Sequence, residues 1–199
     1  MKKVSSIIFS FLLISNISFA NTYSSDPKIF VTEMVTDVIK NLSDKDKSEE
    51  EKKEFIEKIA VENVDINALG LYTLGELRKS AGKNSLEKYQ KTFQNYFLKS
   101  LTSRLADYSS NKFEVTSSDK KSSNYTIVKS KIGQSDNKPE IKIDWRIYTK
   151  NPDKPLIRDL IVEGLSLART QKEEFASILS SNNNDIKILT NKLEDFVNK

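Results

Sequence analysis

Apolar and polar side chains alternate through Ile141-Lys142-Ile143-Asp144-Trp145-Arg146-Ile147-Tyr148. Successive side chains of a β-strand point to opposite faces, so this alternation predicts a strand with one buried face. The turn residues of Asn151–Pro155 follow, and Leu156–Leu167 then reads as the last strand, with Gly164 at a bulge. The stretch therefore predicts an antiparallel pair of strands, around which we expect the rest of the domain to be organised.

Two further strands are predicted before this pair. Phe113 and Val115 alternate with polar neighbours, and Tyr125, Ile127 and Val128 follow after a turn rich in Ser, Asp and Lys. Because strands joined by short turns pair antiparallel, the sequence predicts a four-stranded, mainly antiparallel sheet.

Helices are predicted on the N-terminal side of the sheet. Asp26-Pro27 is typical of an N-cap followed by proline at the first helical position, and predicts a helix over about Pro27–Asn41. Ser48 and Glu51 form the capping-box pattern of a second helix. The strongest helical signal starts at Asn84, where apolar residues recur at spacings of three and four: Leu86, Tyr89, Phe93, Tyr96, Phe97, Leu101, Leu105 and Tyr108.

Two more helices are predicted after the sheet. Thr170 and Glu173 form another capping-box pattern, Asn182-Asn183-Asn184 interrupts the helix that it opens, and Asp185 caps a final helix. The order is therefore helices, antiparallel sheet, helices, without an internal repeat or linker. This order predicts one α+β domain over residues 21–199, in which the sheet packs against the N-terminal and C-terminal helices.

Residues 1–20 have the pattern of a secretory signal peptide. Lys2 and Lys3 precede the uncharged run Val4–Phe19, and Ser18-Phe19-Ala20 places small residues where a signal peptidase would cut after Ala20. A membrane anchor is the alternative, but roughly 20 apolar residues are needed to span a bilayer and this run has 16. We therefore expect export and cleavage of the signal.

Composition excludes several functional classes. The 199 residues contain no His and no Cys, which removes the Ser-His-Asp triad, the Cys nucleophile, zinc knuckles and haem or iron–sulfur ligation by the usual ligands. Removing the two signal lysines from the 32 basic residues leaves 30 against 28 acidic ones, a net charge of +2. A nearly neutral mature chain argues against nucleic acid as a partner.

A carboxylate-only glycosidase survives the absence of His, and Asp159 and Glu163 are the best pair by position. Four residues along a strand separate two carboxylates by roughly 13 Å, more than the roughly 5–9.5 Å that such mechanisms use. We therefore interpret the pair as structural and expect no catalytic residue and no metal ligand.

The aromatic face of the long helix has two interpretations. Tyr89, Phe93, Tyr96, Phe97 and Tyr108 recur on one side, and any one of them taken singly is best explained as core. Several tyrosines on one face is unusual, because each hydroxyl requires a partner or solvent. A helix of this kind can pack solidly on its neighbours or form the wall of an apolar pocket.

The stretch Arg158–Phe175, which reads RDLIVEGLSLARTQKEEF, resembles a motif of the MlaC proteins, also called the toluene-tolerance or organic-solvent auxiliary transport family. Its core is Glu163-Gly164-x-Ser166. Val64-Asp65-Ile66, Leu74-Gly75 and the segment Lys79-Ser80-Ala81 have the family's order and spacing, as does Asp144-Trp145-Arg146 on its strand. The resemblance covers about Pro27 to Phe196, and it departs at Asn182–Asn184, where the family usually has glycine.

The resemblance implies a periplasmic phospholipid carrier and not an enzyme. It implies a shuttle that carries glycerophospholipid between an outer-membrane lipoprotein/porin complex and an inner-membrane ABC transporter with a periplasmic MCE-type subunit. Such an Mla-type system maintains the lipid asymmetry of the outer membrane. The cargo is the bound phospholipid, its acyl tails lie in an apolar cavity between sheet and helices, and no other cofactor is implied. We expect a monomer.

Periodicity gives a set of inward-facing apolar residues as the expected cavity lining: Leu69, Leu74, Phe93, Phe97, Ile127, Trp145, Ile147 and Val162. The main alternative is a secreted, non-catalytic binding module that shares the α+β shape but has a dry core. The weaker alternative is the carboxylate-only hydrolase, acting on cell-wall glycan. An apolar void of lipid size would favour the carrier, whereas a polar cleft with two close carboxylates would favour the hydrolase.

Overall fold

The computed structural model describes residues 23–105, 112–133 and 140–199. The predicted signal peptide and Tyr108 lie outside these ranges. In these ranges, five helices precede the strands: α1 Pro27–Ser43, α2 Glu49–Asn63, α3 Ile66–Thr73, α4 Leu77–Ser80 and α5 Lys83–Leu105. Two helices follow the strands: α6 Leu167–Ser180 and α7 Ile186–Val197. The α+β class predicted from the sequence is confirmed. Within the described residues, no helix combines the length and apolarity needed to cross a bilayer.

The sheet has five antiparallel strands in sequence order, so the prediction of four was wrong by one: β1 Lys112–Ser122, β2 Tyr125–Gly133, β3 Ile141–Tyr148, β4 Leu156–Val162 and β5 Leu165–Ser166. The difference arises at Glu163 and Gly164, whose φ angles are 49° and 84°. Two successive positive φ angles form a tight hairpin turn, in which Val162 pairs with Leu165. Gly164 therefore belongs to a turn and not to a bulge, and the predicted last strand divides into β4 and β5.

Three helices begin at the predicted caps, whereas α5 begins at Lys83, one residue before its predicted start at Asn84. Asp26, Ser48 and Asp185 accept hydrogen bonds at the starts of α1, α2 and α7, as expected. Helix α6, in contrast, is capped by Ser166, which accepts a hydrogen bond from the Arg169 amide.

Thr170 consequently lies inside α6 and does not cap it. Its hydroxyl donates to the Ser166 carbonyl, one turn earlier in the helix. The break after α6 contains Asn183 and Asn184 at φ angles of 53° and 57°. Asparagine is one of the few residues besides glycine that adopt this left-handed conformation readily, so it can replace the expected glycine.

Strand β1 forms one edge of the sheet and is irregular. Its register with β2 shifts between Val115 and Ser117 and again between Lys120 and Ser122. Such shifts bend and twist a strand locally.

Most of the buried apolar residues in the described ranges fall into two clusters. The first, called here the sheet core, lies between α1, α2 and one face of the sheet: Tyr23, Phe30, Val31, Met34, Val35, Ile59, Val128, Trp145, Ile147 and Ile157. The second, called here the helical core, lies among α3, α5, α6 and α7: Ile66, Leu74, Tyr89, Phe93, Phe175, Leu179, Ile186, Leu189 and Leu193. Half-buried Val64 packs against both clusters, so the link between α2 and α3 is where the two cores meet.

Candidate functional site

The connector Val64-Asp65 runs along the outer side of β4 and joins the two cores. Val64 forms a parallel β-bridge with Ile157, and the Asp65 amide donates to the Ile157 carbonyl at 2.9 Å. Asp65 then caps α3, because its Oδ1 accepts from the Ala68 amide at 3.1 Å. We call the boundary between the two cores, where Val64 contacts both, the seam. Main-chain pairing of Val64 and Asp65 with Ile157 attaches this boundary to β4.

Arg158 reinforces this attachment with its side chain. The register between β3 and β4 shifts so that Arg158 is the extra residue of a bulge. Its Nε and a terminal nitrogen lie 2.8 and 2.7 Å from Asp65 Oδ2, and its other terminal nitrogen donates to the Tyr125 hydroxyl at 3.0 Å. The guanidinium carbon also lies 3.4 Å from the centre of the Tyr148 ring. Although burial opposes the charged form, the hydrogen bonds to Tyr125 and Asp65 raise the pKa of Arg158.

Asp159, the next residue, attaches α6 to the sheet. It is 3% exposed, its Oδ1 accepts from the Ala168 amide at 3.0 Å, and its Oδ2 accepts from the Ser166 hydroxyl at 2.6 Å. Arg146 lies 3.3 Å from the same Oδ2. Glu163 sits in the exposed β4–β5 turn and accepts from the Lys142 amide. Both carboxylates thus make structural contacts, which agrees with the interpretation of this pair from the sequence.

Three of the expected lining residues share one face of the sheet. Trp145 and Ile147 are buried in the sheet core, and half-buried Val162 lies on the same face because it pairs with Ile143. The indole of Trp145 donates to Ser130 Oγ at 2.8 Å, which fixes its orientation.

Ile127 lies on the opposite face of the sheet. It pairs with Arg146, whereas its neighbour Val128 pairs with Trp145, and paired residues of an antiparallel sheet share a face. The structure therefore does not bring Ile127 together with Trp145, Ile147 and Val162, and Val128 occupies the position on the face of the sheet core.

The other four expected residues belong to the helical side. Leu74 and Phe93 are buried within the helical core, and Leu69 and Phe97 are half-buried against its margin. Phe93 is packed on all sides by other rings and by the backbone: a Cβ added to Gly70 would lie 2.9 Å from Phe93 Cδ1. Leu69 and Phe97 are consequently the members of this group that lie nearest to an exposed surface.

The aromatic face of α5 is solidly packed in its first half. Tyr89 is fully buried, and its hydroxyl lies 2.8 Å from that of Thr73, which in turn donates to the Gly70 carbonyl. Burial raises the pKa of Tyr89. Tyr96 donates to the Gln171 side chain at 3.1 Å. The hydroxyls of Tyr89 and Tyr96 therefore have hydrogen-bond partners, and Tyr108 lies outside the described residues.

Sequence reasoning missed the residues at the seam itself. Half-buried Leu160 packs against the sheet core and pairs with Trp145, and its place two residues before Val162 in the alternation could have identified it. Val64 gave no periodic signal. Asp65 and Arg158 are 93 residues apart, and no local pattern connects them.

Two pockets on the surface of the described residues can be compared with the expected lining. One of about 410 Å³ is a polar groove between α5 and α7, lined by Lys88, Lys91, Thr92, Asn95, Glu194, Val197 and Asn198. The other, of about 30 Å³, lies among α1, α2 and α5. Neither is lined by any of the eight residues expected from the sequence. In the described part of the chain, no group of three or more acidic side chains is placed to hold a metal ion.

Comparison with known proteins gives a consistent family and fold. A solved phospholipid-binding protein from Ralstonia solanacearum, determined in complex with a phospholipid, superimposes with a TM-score of 0.70. The match covers 85% of this chain and 97% of that chain at 18% sequence identity, and shows that the two share a fold. No curated protein matches the chain. The family model of the MlaC protein matches residues 31–195, and the chain therefore belongs to the MlaC family.

Proposed function

We propose that this protein is a periplasmic carrier of glycerophospholipid within an Mla-type transport system. The observation that carries the proposal is the family match over residues 31–195, together with the fold shared with a protein whose structure contains a phospholipid. The mature chain takes lipid from, or delivers it to, an outer-membrane lipoprotein/porin complex and an inner-membrane ABC transporter with an MCE-type subunit. It works as a monomer and supports lipid asymmetry of the outer membrane.

Half-buried apolar residues on both sides of the molecule suit acyl chains. Leu69 and Phe97 on the helical side, and Leu160 and Val162 on the sheet side, are half-buried apolar residues beside well-packed cores. Burying one methylene contributes about 0.8 kcal/mol, so two acyl chains supply ample affinity without an ionic contact. The headgroup then stays near solvent, and the carrier tolerates different headgroups.

A role in binding fits these residues better than catalysis. The best carboxylate pair for a glycosidase is Asp159 and Glu163, and both accept structural hydrogen bonds. The remaining alternative is a binding module with a dry core, which shares the fold but takes up no lipid.

The deciding experiment is native mass spectrometry of the mature protein purified from a periplasm, with solvent extraction and lipid analysis. A stoichiometric adduct of phospholipid mass supports the carrier and identifies its cargo. A clean apo mass, with no uptake from phospholipid vesicles, contradicts it and favours the dry-core module.

Substitutions test the location of the tails. Val162→Glu and Phe97→Glu should each reduce lipid retention, because a buried carboxylate is costly in an apolar site. Leu165→Glu is the matched control, since Leu165 is 69% exposed in β5. Full lipid retention by a folded Val162→Glu variant would show that the acyl tails do not lie against this face of the sheet.

A further inference from the structure

Side-chain hydrogen bonds and an ion pair that join the sheet to the helical side converge on two adjacent residues of β4. Arg158 contacts Asp65 at the start of α3, and Asp159 contacts Ser166 and Ala168 at the start of α6. The carboxylate of Asp159 is almost fully buried, whereas the Arg158–Asp65 pair is partly exposed, with side-chain exposures of 26% and 18%. Of the two attachments, the one at α3 is therefore the more accessible to water.

The two oxygens of Asp65 have different tasks. Oδ1 caps α3 through the Ala68 amide, and Oδ2 receives both contacts from the Arg158 guanidinium. The helix cap and the ion pair thus share one side chain but not one atom. A substitution can therefore remove the ion pair and preserve the helix cap.

We propose that the Asp65–Arg158 ion pair is a clasp that holds α3 against β4, and that its opening sets the rate at which cargo enters and leaves the seam. This inference rests on the proposed function. Asp65 and Arg158 are positioning residues: they act on the separation of the two cores and do not contact the lipid tails.

The geometry explains why the clasp controls this boundary. The cores share Val64, and the connector that carries it is paired to β4 through Ile157. Lifting α3 from β4 must break the Asp65–Ile157 main-chain bond and both guanidinium contacts. Stacking on Tyr148 and the hydrogen bond to Tyr125 keep Arg158 in position while the clasp is open, so that it closes again readily.

Loosening the clasp is the first half of the test. In Asp65→Asn the amide oxygen can still cap α3, since asparagine is a good N-cap, but its NH2 then faces the guanidinium. Protein loaded with a fluorescent phospholipid is mixed with vesicles of phosphatidylethanolamine and phosphatidylglycerol, and the rate of lipid loss is followed. We expect a rate about tenfold faster than wild type, the size of effect expected from losing a hydrogen bond to a charged group.

The matched control is Glu194→Gln, which removes the Lys88–Glu194 ion pair between α5 and α7, both on the helical side. Its rate of lipid loss should equal that of the wild type, although its thermal stability also falls slightly. If the Asp65–Arg158 pair merely stabilised the fold, Asp65→Asn and Glu194→Gln would both lower the melting temperature, and neither would change the rate of lipid exchange.

Tightening the seam is the second half of the test. The chain contains no Cys, and Val64 and Ile157 are bridge partners, so the Val64→Cys/Ile157→Cys double variant can form a single disulfide across the seam. Oxidation should slow lipid exchange at least tenfold, and reduction should restore it. This readout does not depend on whether Asp65→Asn folds.

The outcomes separate the inference from the proposed function. Wild-type protein that takes up lipid, combined with exchange rates unchanged by Asp65→Asn and by the disulfide, overturns the clasp and leaves the carrier intact. Wild-type protein that takes up no lipid overturns the carrier itself.

Discussion

The helical core and the sheet core differ in how their side chains interlock. In the helical core rings pack against rings: Phe93 contacts Tyr89, Tyr96, Phe97 and Phe175 with centroid distances of 5.9–6.4 Å. Both cores are mostly aliphatic, but among the buried members of the sheet core only Tyr23 and Phe30 make such a ring contact, and their neighbours are Val, Ile and Met side chains. Aromatic pairs prefer specific geometries, whereas aliphatic groups and the flexible thioether of Met adapt to their neighbours. We infer that the helical core is the rigid part of the carrier and the sheet core the adaptable one.

Among the changes that test this comparison, truncation of Phe93 should cause the largest loss of stability. Phe93→Ala removes a buried ring with four aromatic neighbours and should reduce the free energy of unfolding by about 3–5 kcal/mol. Phe97→Ala removes a half-buried ring of the same helix and should cost less. Urea denaturation of the two variants measures the difference, and equal losses would show that the helical core is not centred on Phe93.

The close approach of α3 to α5 gives the next largest effect. A Cβ at Gly70 would lie 2.9 Å from the Phe93 ring, so Gly70→Ala should destabilise by about 1–3 kcal/mol despite the better helix propensity of alanine. Gly82→Ala is the control, because no neighbouring atom lies within 4 Å of its added Cβ. A stabilised Gly70→Ala protein, by thermal melting, would mean that the ring can shift and that the helical core is softer than inferred.

The hydroxyl of Tyr89 tests how strongly the polar groups of the helical core are fixed. Tyr89→Phe removes its contact with Thr73, which keeps the Gly70 carbonyl as acceptor, so the loss should be about 1 kcal/mol. Tyr72→Phe changes an exposed tyrosine of α3, the helix that carries Thr73, and should alter stability by less than about 0.5 kcal/mol. Chemical denaturation distinguishes the two, and an unchanged Tyr89→Phe protein would contradict a cooperative network there.

The smallest expected effect is a change in tryptophan emission from the sheet core, with no loss of stability. Trp145 is the single tryptophan of the chain, and its indole is buried and hydrogen-bonded to Ser130. Cargo lying against the adaptable core should change its emission, whereas the tyrosines of the helical core should be insensitive. Titration with phospholipid vesicles measures this, and unchanged Trp145 emission in protein shown to be loaded would place the cargo elsewhere.

Local patterns predicted most of the fold because they act over a few residues. The alternation of β3, the cap at Asp26 and the capping box at Ser48 all depend on neighbours within one turn or one strand. The N-cap of α6 was missed because Ser166 is followed at the third helical position by Arg169, which cannot return the reciprocal bond of a capping box. The turn at Gly164 was missed because a glycine with positive φ suits a bulge and a hairpin equally.

The candidate site was less predictable for a physical reason. Periodicity identifies which side chains face inward, but it does not say which of two cores they enter. Phe93 and Trp145 both read as buried, and they lie in different clusters. Ile127 and Val128 are consecutive apolar residues, so the face that each occupies was settled only by the pairing with β3.

The irregular edge strand β1 has a consequence for behaviour at high concentration. An edge strand of eleven residues would ordinarily offer a template on which another chain could add a strand. The two register shifts bend that template, and Lys120 and Lys121 place charge at its end. We expect these features to keep the protein from polymerising through its sheet at high concentration.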